Sequence, residues 1–252
     1  MKVKVNALLF GDTMTQPILV AKKLSKHFGG NKALCDLDLS LHEKDVFCLL
    51  GANGAGKTTT VNLFLNFIQP TSGEIFINGS SLAELNERIH RSITYIPEQV
   101  ALYPELSGFE NLDYLLSLSS SDTRAKKEEL KSFLSEAGLQ DEAHELPVSG
   151  YSKGMRQKVG IALALARKSK ILILDEPTSG LDPSSADDFV NIIKKMNEMG
   201  ACIFMVTHDI YRAMKLATRI GIMKSGKLVE NLNVEQVNQE QVESLYLKHM
   251  RG

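Results

Sequence analysis

Four short apolar runs, Val46 to Leu50, Ile171 to Leu174, Cys202 to Val206 and Ile220 to Met223, show no alternation of apolar with polar positions. Runs of that length and kind predict central strands covered on both faces, as in a parallel sheet. Near the N-terminus the pattern differs: Ile18 to Val20, the alternating Cys35, Leu37, Leu39 and Leu41, and Glu74 to Asn78 predict half-buried antiparallel strands. Between the apolar runs the period lengthens to that of a helix, as in Phe189, Val190, Ile192, Ile193 and Met196, with Ser184 and Asp187 as capping signals at its entry. Strand and helix alternate, so the fold class is α/β, with a mostly parallel sheet and an N-terminal antiparallel β subdomain.

Residues from about 105 to 150 break this rhythm. They open with a capping box, Ser107 to Glu110, and carry helix-spaced Phe109, Leu112, Leu115 and Leu116. A serine-rich loop, Ser117 to Asp122, leads to a second helix near Lys126 to Ala137 that stops at Gly138. The segment is a helical insertion into the α/β core, and no internal repeat is visible.

Composition narrows the function classes. A chain of 252 residues buries enough surface to stand without disulfide or metal staples. Its 29 Lys and Arg balance 30 Asp and Glu, so no net field draws it to nucleic acid or to an anionic membrane. Cys35, Cys48 and Cys202 lack metal-ligand spacing and fit reduced thiols of a cytoplasmic protein. No apolar run approaches the ~20 residues of a membrane helix. Residues 1–15 lack the core and cleavage pattern of a signal peptide and are expected to be an extension, ahead of a start at Met14.

Directly after the strand Val46 to Leu50 comes Gly51-Ala52-Asn53-Gly54-Ala55-Gly56-Lys57-Thr58-Thr59. Glycines there let backbone N–H groups converge on phosphates, and the N-terminus of the following helix adds its positive end. Lys57 supplies a charge and the Thr58 hydroxyl a Mg²⁺ ligand. A second piece is Asp175-Glu176 at the end of an apolar strand, where two carboxylates imply a cation. Asp175 fits a Mg²⁺ anchor, direct or through water, and Glu176 is placed to polarise a water for attack on a γ-phosphate. The Asn-Lys-x-Asp segment that reads guanine is absent, which favours ATP.

A third stretch, Tyr151-Ser152-Lys153-Gly154-Met155-Arg156-Gln157, holds a Ser152 that lies 23 residues before Asp175. YSKGM at that distance before ILILDEP resembles the signature loop of the ATP-binding cassette (ABC) family, and the resemblance runs from about Ile18 to about Glu230. It implies a P-loop NTPase core and an ABC ATPase domain over residues 16–252. By the same resemblance Phe28 stacks on adenine, Asp175 and Glu176 are the Walker B pair, and Ser179-Gly180-Leu181-Asp182 is the D-loop, which adds Asp182 to the nucleotide contacts. His208 corresponds to the switch histidine at the γ-phosphate. The family's sandwich dimer would bring Ser152 and Gly154 to the ATP held on the other subunit.

The chain departs from the family pattern in two places. The register of Ala101-Leu102-Tyr103-Pro104 puts Glu98 where the family has a metal-facing Gln, with Gln99 beside it, and leaves open which of the two reaches Mg²⁺. Tyr151, Lys153 and Met155 replace Leu, Gly and Gln in a form similar to exporter-type cassettes. The resemblance implies an ATPase subunit, cytoplasmic and peripheral on the inner membrane face, paired as a homodimer or with a second cassette and docked on separate membrane-spanning permease subunits. The aromatic cluster Leu102, Tyr103, Phe109 and Tyr114 is the expected cleft for the partner's helix. The alternatives are a soluble ABC ATPase acting on ribosomes or DNA and a non-catalytic ATP-gated scaffold. The chain lacks the basic or coiled-coil insertions of the former, and Glu176 and His208 disfavour the latter.

Overall fold

The computed structural model describes residues 16–84, 92–118 and 126–250. The expected extension over residues 1–15 lies outside them, as does the serine-rich stretch from 119 to 122. Along the chain, β1 (Leu19–Phe28) and β2 (Asn31–Leu41) are followed by β3 (Val46–Leu50), α1 (Lys57–Phe64), β4 (Ser72–Ile77), β5 (Ser80–Ser81) and β6 (Ile93–Ile96). Next come α2 (Gly108–Ser117), α3 (Lys127–Glu136) and α4 (Lys153–Ala166). The remainder is β7 (Ile171–Asp175), α5 (Pro183–Glu198), β8 (Cys202–Thr207), α6 (Ile210–Leu216), β9 (Arg219–Lys224), β10 (Lys227–Asn233) and α7 (Gln239–Met250).

Strand β3 shows why the apolar runs do not alternate. All five of its residues are buried, but they face two different cores. Phe47 and Leu49 join the core under the antiparallel sheet β2-β1-β4-β5 and α1, where the Phe47 and Phe204 rings stack at 5.9 Å. Val46, Cys48 and Leu50 face the core built with the helical insertion and α5. Its sheet runs in the order β10-β9-β3-β8-β7-β6, parallel except for the β9–β10 hairpin at one edge. Full burial on both faces removes the polar positions that would mark a period of two.

Two expectations need correction. Leu34, Leu37, Leu39 and Leu41 face the core, whereas Cys35 is half-buried. Asp36 takes φ 47° and the pairing with β1 slips beside it, so an extra residue enters β2 and the alternation breaks. Ser25 holds this bulge, its hydroxyl accepting from Asp36 N at 2.8 Å and donating to Asp36 Oδ1 at 3.1 Å. Helix α5 is capped by Asp182, whose carboxylate accepts from Ser185 N at 3.0 Å, with Pro183 in the first turn. Ser184 and Asp187 therefore lie inside the helix, and Asp187 pairs with Lys215 at 3.3 Å.

The insertion forms as expected at both ends. Ser107 caps α2 in a reciprocal box with Glu110, and Gly138, at φ 77°, ends the turn after α3. What fixes the connecting loop is Asn111, which is fully buried. Its amide oxygen accepts from Tyr103 N at 2.8 Å, and its amide nitrogen donates to the carbonyls of Tyr103, Leu106 and Ser107 at 2.9 to 3.2 Å. Tyr151 locks the far end: its buried hydroxyl donates to the Ala143 carbonyl, and a Cβ on Gly108 would stand 2.4 Å from that hydroxyl. Strands β6 and β10 had no clear sequence signal, β6 because it is four residues long and β10 because it is a polar edge strand. In α7 Val242 is buried and Leu247 is exposed.

Replacing Asn111 with Leu keeps the side-chain volume and strands the backbone groups it serves. Each buried group left without a partner costs about 1–3 kcal/mol, so Asn111→Leu should lower unfolding stability by at least that amount in urea denaturation.

Candidate nucleotide site

Parallel register gathers the candidate residues at the C-terminal ends of neighbouring strands. Leu50, the last residue of β3, pairs with Thr207 of β8, and Asp175, the last of β7, pairs with Val206. The phosphate loop, Glu176 and His208 thus leave the sheet side by side, although they are far apart in the chain.

The loop itself is shaped by close backbone approaches. A Cβ on Gly51 would lie 2.7 Å from the Met223 carbonyl oxygen, and one on Gly56 would lie 2.6 Å from that of Ala33. Gly56 also has φ 113°, which a side chain would strain. The turn after β9 secures the loop, with Gly226 N donating to Ala55 O and Cys35 N to Gly226 O, both at 2.8 Å. Lys57 opens α1, and its ammonium donates to the carbonyls of Gly51 at 2.6 Å and Ala52 at 3.2 Å. Burial lowers the Lys57 pKa, while the charges of Glu176 and Asp175 oppose that shift. Ala52, Asn53, Gly54 and Thr58 are exposed at the mouth of the loop, and Thr59 is half-buried.

Opposite the loop stand the acids. Burial raises the Asp175 pKa, the Tyr95 hydroxyl opposes the rise, and the negative charges of Glu176 and Glu98 add to it. Tyr95 donates to Asp175 Oδ2 at 3.3 Å. Burial and the Asp175 charge push the Tyr95 pKa up to about 12, so the phenol stays a neutral donor. Glu176 has φ 44°, a conformation that costs a residue with a side chain on the order of 1–3 kcal/mol. It is pinned there by its N–H donating to Val206 O at 2.9 Å and by its Oε2, which lies 2.9 Å from His208 Nδ1. Among the described residues no three His, Cys, Asp or Glu side chains could hold a metal by themselves.

The remaining candidates occupy separate positions. Phe28, at the end of β1, is 50% exposed, with Lys26 Nζ 5.0 Å from its ring centre. Ser152 caps α4 by accepting from Met155 N at 3.2 Å. Gly154 is buried against Leu181 and Ser185, so the signature turn packs on the start of α5. Asp182 has its carboxylate occupied by the helix cap. The two departures meet each other: Lys153 Nζ lies 3.3 Å from Glu98 Oε1, joining the signature turn to the loop after β6. Tyr95 and Gln157 were missed in the sequence. Gln157, buried on α4, donates to the Pro177 carbonyl just after the acid pair. Tyr95 lies in Ile93-Thr94-Tyr95-Ile96, a stretch too short and mixed to mark a site in the sequence.

The family profile described as "ABC transporter" matches residues 34–179, more than half of the chain. The chain belongs to the ABC transporter family. The ABC transporter ATP-binding protein YhcH of Bacillus subtilis, itself uncharacterized, is 33% identical over 232 residues, covering 92% of this chain and 75% of the relative. The lipopolysaccharide export system ATP-binding protein LptB of Haemophilus influenzae is 32% identical over 237 residues, covering 91% of this chain and 97% of the relative. Among solved structures, a dimeric ATP-binding cassette in a post-hydrolysis state with ADP and Pi superposes with TM-score 0.77 at 26% identity, covering 86% of this chain and 98% of that one. The family is that of ATPases coupled to transport, and the ABC chain described here has the fold of its dimeric members.

The Glu98 carboxyl is held below the ordinary glutamate range by the Lys153 hydrogen bond and then by Ser179. Lys153→Met should move its midpoint back up in a side-chain carboxyl NMR titration. Because the folded-state pKa is depressed, the stabilisation from this pair is complete above the ordinary glutamate value and is lost as pH falls through the depressed one. An unmoved midpoint would show that Lys153 is not the group responsible.

Proposed function

We propose that this ABC subunit hydrolyses ATP with Mg²⁺ as a sandwich dimer and powers export through separate membrane-spanning subunits. The observation that carries the reading is the convergence of Lys57, Asp175, Glu176 and His208 at the ends of three adjacent parallel strands. Residues 51–59 take the phosphates, and Phe28 offers its exposed ring to adenine. Ser152 and Gly154 serve the ATP bound by the other subunit, with Asp182 supporting that turn as a cap. Thr58 and Asp175 are hard oxygen donors that suit Mg²⁺. The lack of a closed protein cage among the described residues fits a cation that keeps water and phosphate oxygens as ligands. When bound, the ion neutralises charge that develops on the phosphates. Glu98 stays at the edge of this set, its charge acting on Asp175 while Lys153 holds it.

Glu176 is the base that orients and polarises the attacking water, and His208, in contact with its carboxylate, reads the γ-phosphate. Support for export comes from the Tyr151, Lys153 and Met155 form of the signature and from the relative named for lipopolysaccharide export. No helix among the described residues is long and apolar enough to cross a membrane, which fits a peripheral subunit on the cytoplasmic face. For the permease contact, Tyr103 and Tyr114 stand exposed, edge to face, with ring centres 5.0 Å apart. Leu102 and Phe109 beside them are half-buried, and no role for nucleic acid is proposed.

Glu176→Gln keeps the shape and removes the charge, so hydrolysis should fall by about 10² to 10⁴ while ATP binding survives. With ATP the variant should run as a dimer in size-exclusion chromatography, since unhydrolysed nucleotide would bridge Lys57 of one subunit and Ser152 of the other. A variant that binds ATP yet stays monomeric would contradict the sandwich. Tyr103→Ala combined with Tyr114→Ala should lose the membrane partner on co-purification from native membranes, with ATPase activity in solution retained.

A further inference from the structure

Tyr95 touches two places that no other side chain joins in the contacts described above. Its hydroxyl donates to Asp175 Oδ2 at 3.3 Å. Its ring meets Phe67 edge to face, with centres 6.3 Å apart at 85°, in the wall of a groove of about 480 Å³ that Leu163 and Arg167 also line. Phe67 is 67% exposed, so the groove opens on the surface while Asp175 lies half-buried behind Tyr95.

The chemistry of the donor matters. Asp175 ends its strand near the carboxylates of Glu176 and Glu98, whose charges favour its protonated form, a poorer cation ligand. A lysine in place of Tyr95 would fix the carboxylate and also neutralise it. A neutral phenol fixes it and leaves its full negative charge, with Oδ1 still available. Strand β6 pairs Tyr95 with Ile173, two residues before Asp175, so the reach of the hydroxyl is set by sheet register.

We propose that Tyr95 is a positioning residue for the cation bound at Asp175, and that its packing on Phe67 makes the groove wall part of that cation site. The proposal rests on the reading of Asp175 as a Mg²⁺ anchor.

The test uses Mn²⁺ as the probe, followed by electron paramagnetic resonance in the presence of a non-hydrolysable ATP analogue, with analogue affinity also measured without metal. Tyr95→Phe keeps the ring and removes the hydrogen bond. It should weaken Mn²⁺ binding about three- to tenfold and leave metal-free analogue binding unchanged. Phe67→Ala keeps the hydroxyl but frees the ring, and should weaken Mn²⁺ binding by about twofold, the smaller part of a hydrogen bond's worth. Wild-type Mn²⁺ affinity in Tyr95→Phe would overturn the positioning role, and wild-type affinity in Phe67→Ala would overturn the link to the groove. A wild-type protein that binds the analogue but no Mn²⁺ would instead overturn the metal reading on which the proposal rests.

Discussion

The parallel pairing of β3, β8 and β7 is the constraint from which the site follows. Hydrogen bonds between these strands fix Leu50 against Thr207 and Val206 against Asp175. Each strand is buried on both faces, so a slip of one residue would exchange the faces of every side chain and drive Phe47, Leu49 and Phe204 out of their core. Register is therefore held by the whole hydrophobic interior. Because the strands end together, three connections with unrelated sequences deliver a lysine, two acids and a histidine to the same small region.

Opposite charges meet in that region. Lys57 is buried and spends its donors on the carbonyls of its own loop, which keeps the loop closed around the ammonium. Asp175 and Glu176 face it with a third acid, Glu98, nearby. Burial alone would favour neutral forms on both sides, lowering the lysine pKa and raising that of Asp175, as the shifts indicate. Gathering these charged groups in a buried region carries a desolvation cost. The positive φ at Glu176 adds to that cost and is tolerated because Val206 and His208 hold both ends of the residue.

Substitutions at two places in the family pattern make sense as pairs. Glu98 and Lys153 replace uncharged residues of the family form, and they face each other across the junction between the core and the helical insertion. Tyr151 in the signature needs room for its ring, and Gly108, at the start of α2, supplies it. Both pairs tie α4 to neighbouring elements near the site. An exposed ion pair contributes little to stability, so its effect is on where the signature turn sits rather than on how firmly the chain folds.

The sequence alone determined the boundaries of β3, the phosphate loop, the capping box at Ser107, the stop at Gly138 and the α/β class. The first four depend on residues within one short segment and the class on the alternation of such segments, so periodicity and backbone chemistry are read directly from spacing. The Asp182-Pro183 pair was also a legible helix start, although Ser184 drew attention instead. Tertiary structure alone decided that Tyr95 would meet Asp175, 80 residues away, and that Lys153 would meet Glu98, 55 residues away. It also decided the bulge at Asp36, which depends on Ser25 across the sheet. Spacing along the chain carries no information about such contacts, because they arise when separately specified elements pack and their side chains must share a buried boundary.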